Sequence, residues 1–120
     1  MTALTELSRR VSEAEGPSRE LDGEVHFYLR GGMPTFSRGE FLTGPRYTAS
    51  LDAVVALIAE KLPGHDQGSE TQGLAAYGFV WERGMKDETL MHAEGKTEIN
   101  ARLAAALLAI HERNKSDDRA

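Results

Sequence analysis

A histidine and a carboxylate two residues apart on a strand share one face, so His92 and Glu94 are a pair that could chelate a metal or pass a proton. A zinc site needs three or four ligands converging at about 2 Å. The other neighbouring pairs do not supply them. His65 and Asp66 fall in a predicted loop and diverge, and His111-Glu112-Arg113-Asn114 lacks the second histidine of the helical zinc-protease motif. We therefore read His92 and Glu94 as lining a solvated sheet face, and we expect neither metal nor cofactor. Cysteine is absent, which excludes disulfides, thiolate zinc sites, iron–sulfur clusters and a cysteine nucleophile. No serine stands in a Gly-x-Ser-x-Gly turn; Ser50 reads as a helix cap and Ser69 as a loop residue. Arg30-Gly31-Gly32-Met33 lacks the lysine and the preceding buried strand of a phosphate loop. Asp87-Glu88 and Asp117-Asp118 read as solvated charge in a turn and a tail. The expectation is a protein without catalytic residues. A small hydrolase or metal enzyme using His92, Glu94 or Tyr47 is the alternative.

Tyr77, Phe79 and Trp81 alternate along one predicted strand and could stack nucleic-acid bases. Such platforms are set in basic surroundings. Here 14 basic side chains face 19 acidic ones, for a net charge of −5, which opposes binding to nucleic acid or to anionic membranes. The three aromatics are therefore read as the core face of the sheet, beneath the helices. Phe36, Phe41 and Tyr47, with His92 and Glu94, are the candidate interaction surface.

These side chains must be positioned by a small set of elements. Leu4, Leu7, Val11 and Ala14 recur at helical spacing and predict a helix over Thr2 to Glu15, ended by Gly16. Pro17 to Leu29 fits either a helix or a strand; Pro17 at a first turn and the early acids Glu20 and Asp22 favour the helix. Arg30 to Tyr47 is broken by Gly31, Gly32, Pro34, Gly39, Gly44 and Pro45, yet carries Met33, Phe36, Phe41 and Leu42. It reads as an irregular segment packed on the core, and as a source of a third strand. Leu51, Val54, Val55, Ile58 and Leu62 predict a helix capped by Thr48 or Ser50 and stopped by Pro63-Gly64. His65 to Gly73 is polar and reads as a mobile loop. Strands are predicted over Ala76 to Trp81 and Glu88 to Ala93, joined by a turn at 83–87. Thr97 caps a last helix ending near Arg113, with Ile99, Leu103, Ala106, Leu107 and Ile110 as its buried stripe.

Forty per cent of the 120 residues are hydrophobic, enough for one core without covalent staples. The expected organisation is one α+β domain over residues 1–112 and a flexible charged tail over 113–120. No run approaches the roughly 18 apolar residues of a membrane span, and the N-terminus lacks a secretory apolar run.

Two strings add a family resemblance: Gly-Pro-Ser-Arg-Glu-Leu-Asp at 16–22, and Tyr-Thr-Ala-Ser-Leu-Asp-Ala at 47–53, which opens the helix closing at Leu62-Pro63-Gly64. A strand containing Trp81 follows, then Glu94-Gly95-Lys96-Thr97 and an alanine- and leucine-rich helix. Over roughly residues 4 to 112 this order resembles the small phage and prophage proteins grouped as the phage ABA sandwich domain family. The resemblance implies an α-β-α sandwich and phage origin; it implies no activity. With the elements above, it makes the expected fold α+β, about four helices packed on a small, mostly antiparallel sheet of two or three strands. The expected function is that of a non-enzymatic phage- or prophage-derived accessory protein in the bacterial cytoplasm. It would work through protein contacts, with a partner or as a homodimer. An acidic inhibitor that mimics nucleic acid and binds a basic host or phage protein is the alternative; its acids would cluster on one face, whereas Arg9, Arg10, Arg19, Arg30, Arg38 and Arg46 interleave with them.

Overall fold

The structure, a computed structural model, describes residues 3–30 and 45–119. Helices α1 (Ala3–Glu13) and α2 (Arg19–Arg30) lead to α3 (Leu51–Lys61). Strands β1 (His65–Gln72) and β2 (Ala75–Glu82) form a hairpin. A single helical turn, α4 (Lys86–Thr89), precedes β3 (Met91–Gly95), and the long helix α5 (Glu98–Arg119) ends the described chain. The three strands form one antiparallel sheet in the order β1-β2-β3. The class is therefore α+β, with helices packed on a three-stranded antiparallel sheet, as expected.

Helix α5 is the middle layer. One side of it lies along all three strands, while α1 and α3 pack on it and α2 packs on α1. Leu103, Ala104, Ala105, Ala106 and Leu107 are completely buried. Around them close Leu7 and Val11 from α1, Val25 from α2, Val54 and Ile58 from α3, and Val80 from β2. Each such aliphatic side chain contributes roughly 1.5–3 kcal/mol on leaving water. The expected caps are in place: the Ser50 hydroxyl accepts the Ala53 N–H at 3.2 Å and the Thr97 hydroxyl accepts the Asn100 N–H at 3.0 Å. For α2, Ser18 does the same for Leu21 at 3.2 Å, so the segment is the expected helix, but it begins at Arg19 and Pro17 lies outside its first turn.

A buried polar knot fixes α2 against the segment before α3. The Thr48 N–H and hydroxyl both donate to Asp22 Oδ1 at 2.7 Å, and Arg19 reaches Asp22 Oδ2 at 2.9 Å. The Thr48 hydroxyl oxygen also accepts the Ser18 N–H at 2.7 Å. Asp22 is 2% exposed and Thr48 1%, so burial of this carboxylate is compensated by directed donors.

Several of the expected elements are corrected. Residues 65–72 are not a mobile loop; they are β1, and they supply the third strand expected from the 36–47 region, most of which lies outside the described residues. The strand expected over Glu88–Ala93 starts later and runs on, as Met91–Gly95, because Lys86–Thr89 closes a helical turn first. The last helix continues past Arg113 to Arg119, for no glycine or proline stops it. The facing of β2, which carries the candidate site, is the reverse of the expected one.

Candidate functional site: the outer face of the sheet

Tyr77, Phe79 and Trp81 were expected under the helices. They lie on the opposite face. Along β2, Ala76, Gly78 and Val80 are buried, whereas Tyr77, Phe79 and Trp81 are half-buried. The reason is steric. A methyl group built on Gly78 would lie 2.3 Å from the carbonyl carbon and oxygen of Ala101. Helix α5 rests on the strand's backbone, and its alanine surface leaves no room for rings. Small residues therefore face inward and the aromatics face out.

Strand pairing determines the neighbours of the rings, because directly paired residues share a face. Three rows result. Tyr77 stands between Glu70 of β1 and Glu94 of β3; Phe79 stands between Gly68 and His92; Trp81 is paired with Asp66. His92 and Glu94 are both exposed and share this face, as their spacing required. Glu70 is exposed as well. Gly68 leaves room for the indole: its Cβ position would be 4.0 Å from two Trp81 ring carbons.

The inner side of β1 explains why the strand is unreadable from apolar alternation. Gln67 and Ser69 point toward α5 and are met by the Arg102 guanidinium, at 3.1 Å to Gln67 Oε1 and 2.6 Å to Ser69 Oγ. Gln67 Oε1 and Ser69 Oγ thus find their partner in one side chain.

The Trp81 end of the outer face is electrostatically complete. Arg83 Nη2 lies 2.8 Å from Asp66 Oδ1, and Lys86 Nζ lies 4.8 Å over the Trp81 ring, a cation–π arrangement. The Arg83 hydrogen bond holds the Asp66 carboxyl below its ordinary range. At the Tyr77 end the contacts are of another kind. Glu70 accepts a 3.3 Å hydrogen bond from the Gln72 amide, and among the described residues no cation pairs with Glu70 or Glu94. Just beyond lies the β1–β2 turn, a two-residue loop in which Gly73 has a φ of +64°. Its second residue, Leu74, is 100% exposed.

Of the other expected surface residues, Tyr47 is corrected: it is 2% exposed and belongs to the core. It directly precedes Thr48, whose hydrogen bonds with Ser18 and Asp22 hold it against α2. Phe36 and Phe41 lie outside the described residues. Glu70 and Leu74 were not singled out from sequence, and Tyr77 was read as part of the core face. The signal for Glu70 exists only in the register, once 65–72 is a strand. Among the described residues no three metal-ligating groups come together, and no helix is long and apolar enough to cross a membrane.

No known family model matches the chain, and neither a curated protein nor a solved structure matches it.

Proposed function

We propose that this chain is a non-enzymatic protein-interaction module whose docking surface is the outer face of the sheet. The observation that carries this is the row Tyr77–Phe79–Trp81, turned away from the helix that covers the sheet. Aromatic side chains on a folded surface are what protein interfaces are enriched in, since they bury much area at small entropic cost. The exposed His92, Glu94 and Glu70 form a polar rim. An accessory role in phage or prophage biology, in the bacterial cytoplasm, accords with the resemblance carried by residues 16–22 and 47–53.

Photo-cross-linking tests this reading. A benzophenone amino acid at position 79 should give an adduct with a defined polypeptide in cells that make the protein. The same group at Ala59, exposed on α3, should not. No adduct from position 79, or identical adducts from both positions, refutes docking on this face.

A further inference from the structure

Cations and carboxylates are unevenly shared along the outer face. Asp66, Trp81, Arg83 and Lys86 form a complete set of acid, ring and cation at one end. At the other end the register aligns Glu70, Tyr77 and Glu94 in one row, a ring flanked by two carboxylates that no cation among the described residues neutralises. Two strand spacings separate Glu70 from Glu94 by about 10 Å between backbones. A planar cation lying on the Tyr77 ring therefore reaches an acid on either side.

We propose that this row seats an arginine side chain from an extended basic segment of a partner protein. The proposal rests on the docking reading above and names the chemistry of the partner. Guanidinium fits better than ammonium, because it stacks flat on a ring and donates in its own plane to carboxylates on both sides. Nucleic acid is disfavoured, since the same acids repel phosphate. Among the described residues no strand pairs with the outer side of β1, so that edge offers the segment a place to lie. The two-residue turn makes Gln72 and Ala75 a hydrogen-bonded pair, and the Arg83 N–H donates to the Gly64 carbonyl at 2.9 Å in the same phase. The backbone groups of His65, Gln67, Ser69 and Thr71 therefore point away from β2. The far edge differs, for the Ser12 hydroxyl donates to the Glu94 carbonyl of β3. A strand added beside β1 places every second side chain over the outer face, with one position directly against Glu70.

The probe is an acetylated, amidated peptide of four Thr-Arg repeats, titrated at low salt against the full chain and followed by the fluorescence of Trp81, the sole tryptophan. Its counterpart carries citrulline, the neutral isostere of arginine. One cation–π contact and two exposed ion pairs amount to roughly a tenfold gain in affinity. The expected results are tenfold weaker binding of the citrulline peptide, tenfold weaker binding of the arginine peptide to E70Q/E94Q, and an effect within twofold for E15Q/E60Q, which removes the same charge elsewhere. Equal affinity for the two peptides overturns the proposal, as does an equal loss in both double variants, which would mean diffuse attraction. Both sets of substitutions are at exposed positions, and matching melting curves confirm folding. The cross-link from position 79 separates the two levels. An adduct of unchanged yield in E70Q/E94Q, or one with the mass of a second copy of this chain, overturns the arginine seat and leaves docking standing. No adduct from the otherwise unaltered chain removes docking itself.

Discussion

Replacing Gly78 by alanine tests the architecture at its tightest point. The new methyl would lie 2.3 Å from the Ala101 carbonyl carbon and oxygen and 2.4 Å from the Arg102 nitrogen. Carbon atoms in contact settle at about 3.5–4.0 Å, so helix α5 must retreat by more than about 1 Å. All three opposing atoms are backbone, so no rotamer change relieves the contact. Gly95 adds to the constraint, since its own Cβ position is 2.7 Å from the Ala101 nitrogen. Because α5 is the middle layer, its retreat loosens Ala76 and Val80 on one side while pressing on α1 and α3 on the other. Overpacking of a tight core costs about 1–3 kcal/mol, and backbone displacement puts this case at the upper end. At about 4 °C per kcal/mol for a chain of this size, a loss of about 3 kcal/mol lowers the melting temperature by about 12 °C. Thermal unfolding followed by far-ultraviolet circular dichroism, with urea titration alongside, measures it. Gly68→Ala is the control. Among the described residues its methyl meets only the Trp81 ring, at 4.0 Å, an ordinary contact, so the change should stay within about 0.5 kcal/mol. If Gly78→Ala melts within a few degrees of the parent, α5 does not rest on the β2 backbone and the outward facing of the aromatics loses its cause.

Three further outcomes are expected. Asp22→Ala removes the acceptor of the Thr48 N–H and hydroxyl and the partner of Arg19; leaving those donors buried should cost about 3 kcal/mol in urea unfolding, and a loss below about 1 kcal/mol would deny the knot its structural role. Ser50→Ala should cost about 1 kcal/mol by removing the α3 cap, readable in the same assay and restored by Ser50→Asp. Arg83→Gln should return the Asp66 carboxyl upward toward its ordinary range, as followed by NMR titration, because the Arg83 hydrogen bond is what lowers it. A lowered folded-state value stabilises above the unfolded-state value and is lost as pH falls through the folded one. The stabilities of Arg83→Gln and the parent should therefore converge in acid, and a difference that grows there would contradict the assignment.

The helices were legible because a helix is a local object. Apolar residues three and four apart marked α1, α3 and α5, and a hydroxyl before each apolar run marked the caps at Ser50 and Thr97. The shared face of His92 and Glu94 followed from the period of a strand in the same way. The misreadings fall where a distant partner supplied what alternation was expected to show. β1 lacks an apolar face because Arg102 satisfies Gln67 and Ser69, and nothing near residues 65–72 signals that arginine. Tyr47 looked like a surface aromatic in a loop, yet the Asp22–Thr48 contact carries its neighbourhood into the core.

The facing of β2 divides the two kinds of information most sharply. Its alternation of large and small residues was determined by the sequence alone, and with it the fact that Tyr77, Phe79 and Trp81 share one side. Burial area alone favours the rings as the inner side. What reversed this was the alanine surface of α5, set directly on the strand at Gly78 and Gly95. The register that places Glu70 and Glu94 beside Tyr77 is likewise a property of three strands together. Period and capping act between neighbours along the chain and can be read from one segment. Facing and register depend on which surface arrives from elsewhere, and here the close approach of two backbones outweighed the burial of three aromatic rings.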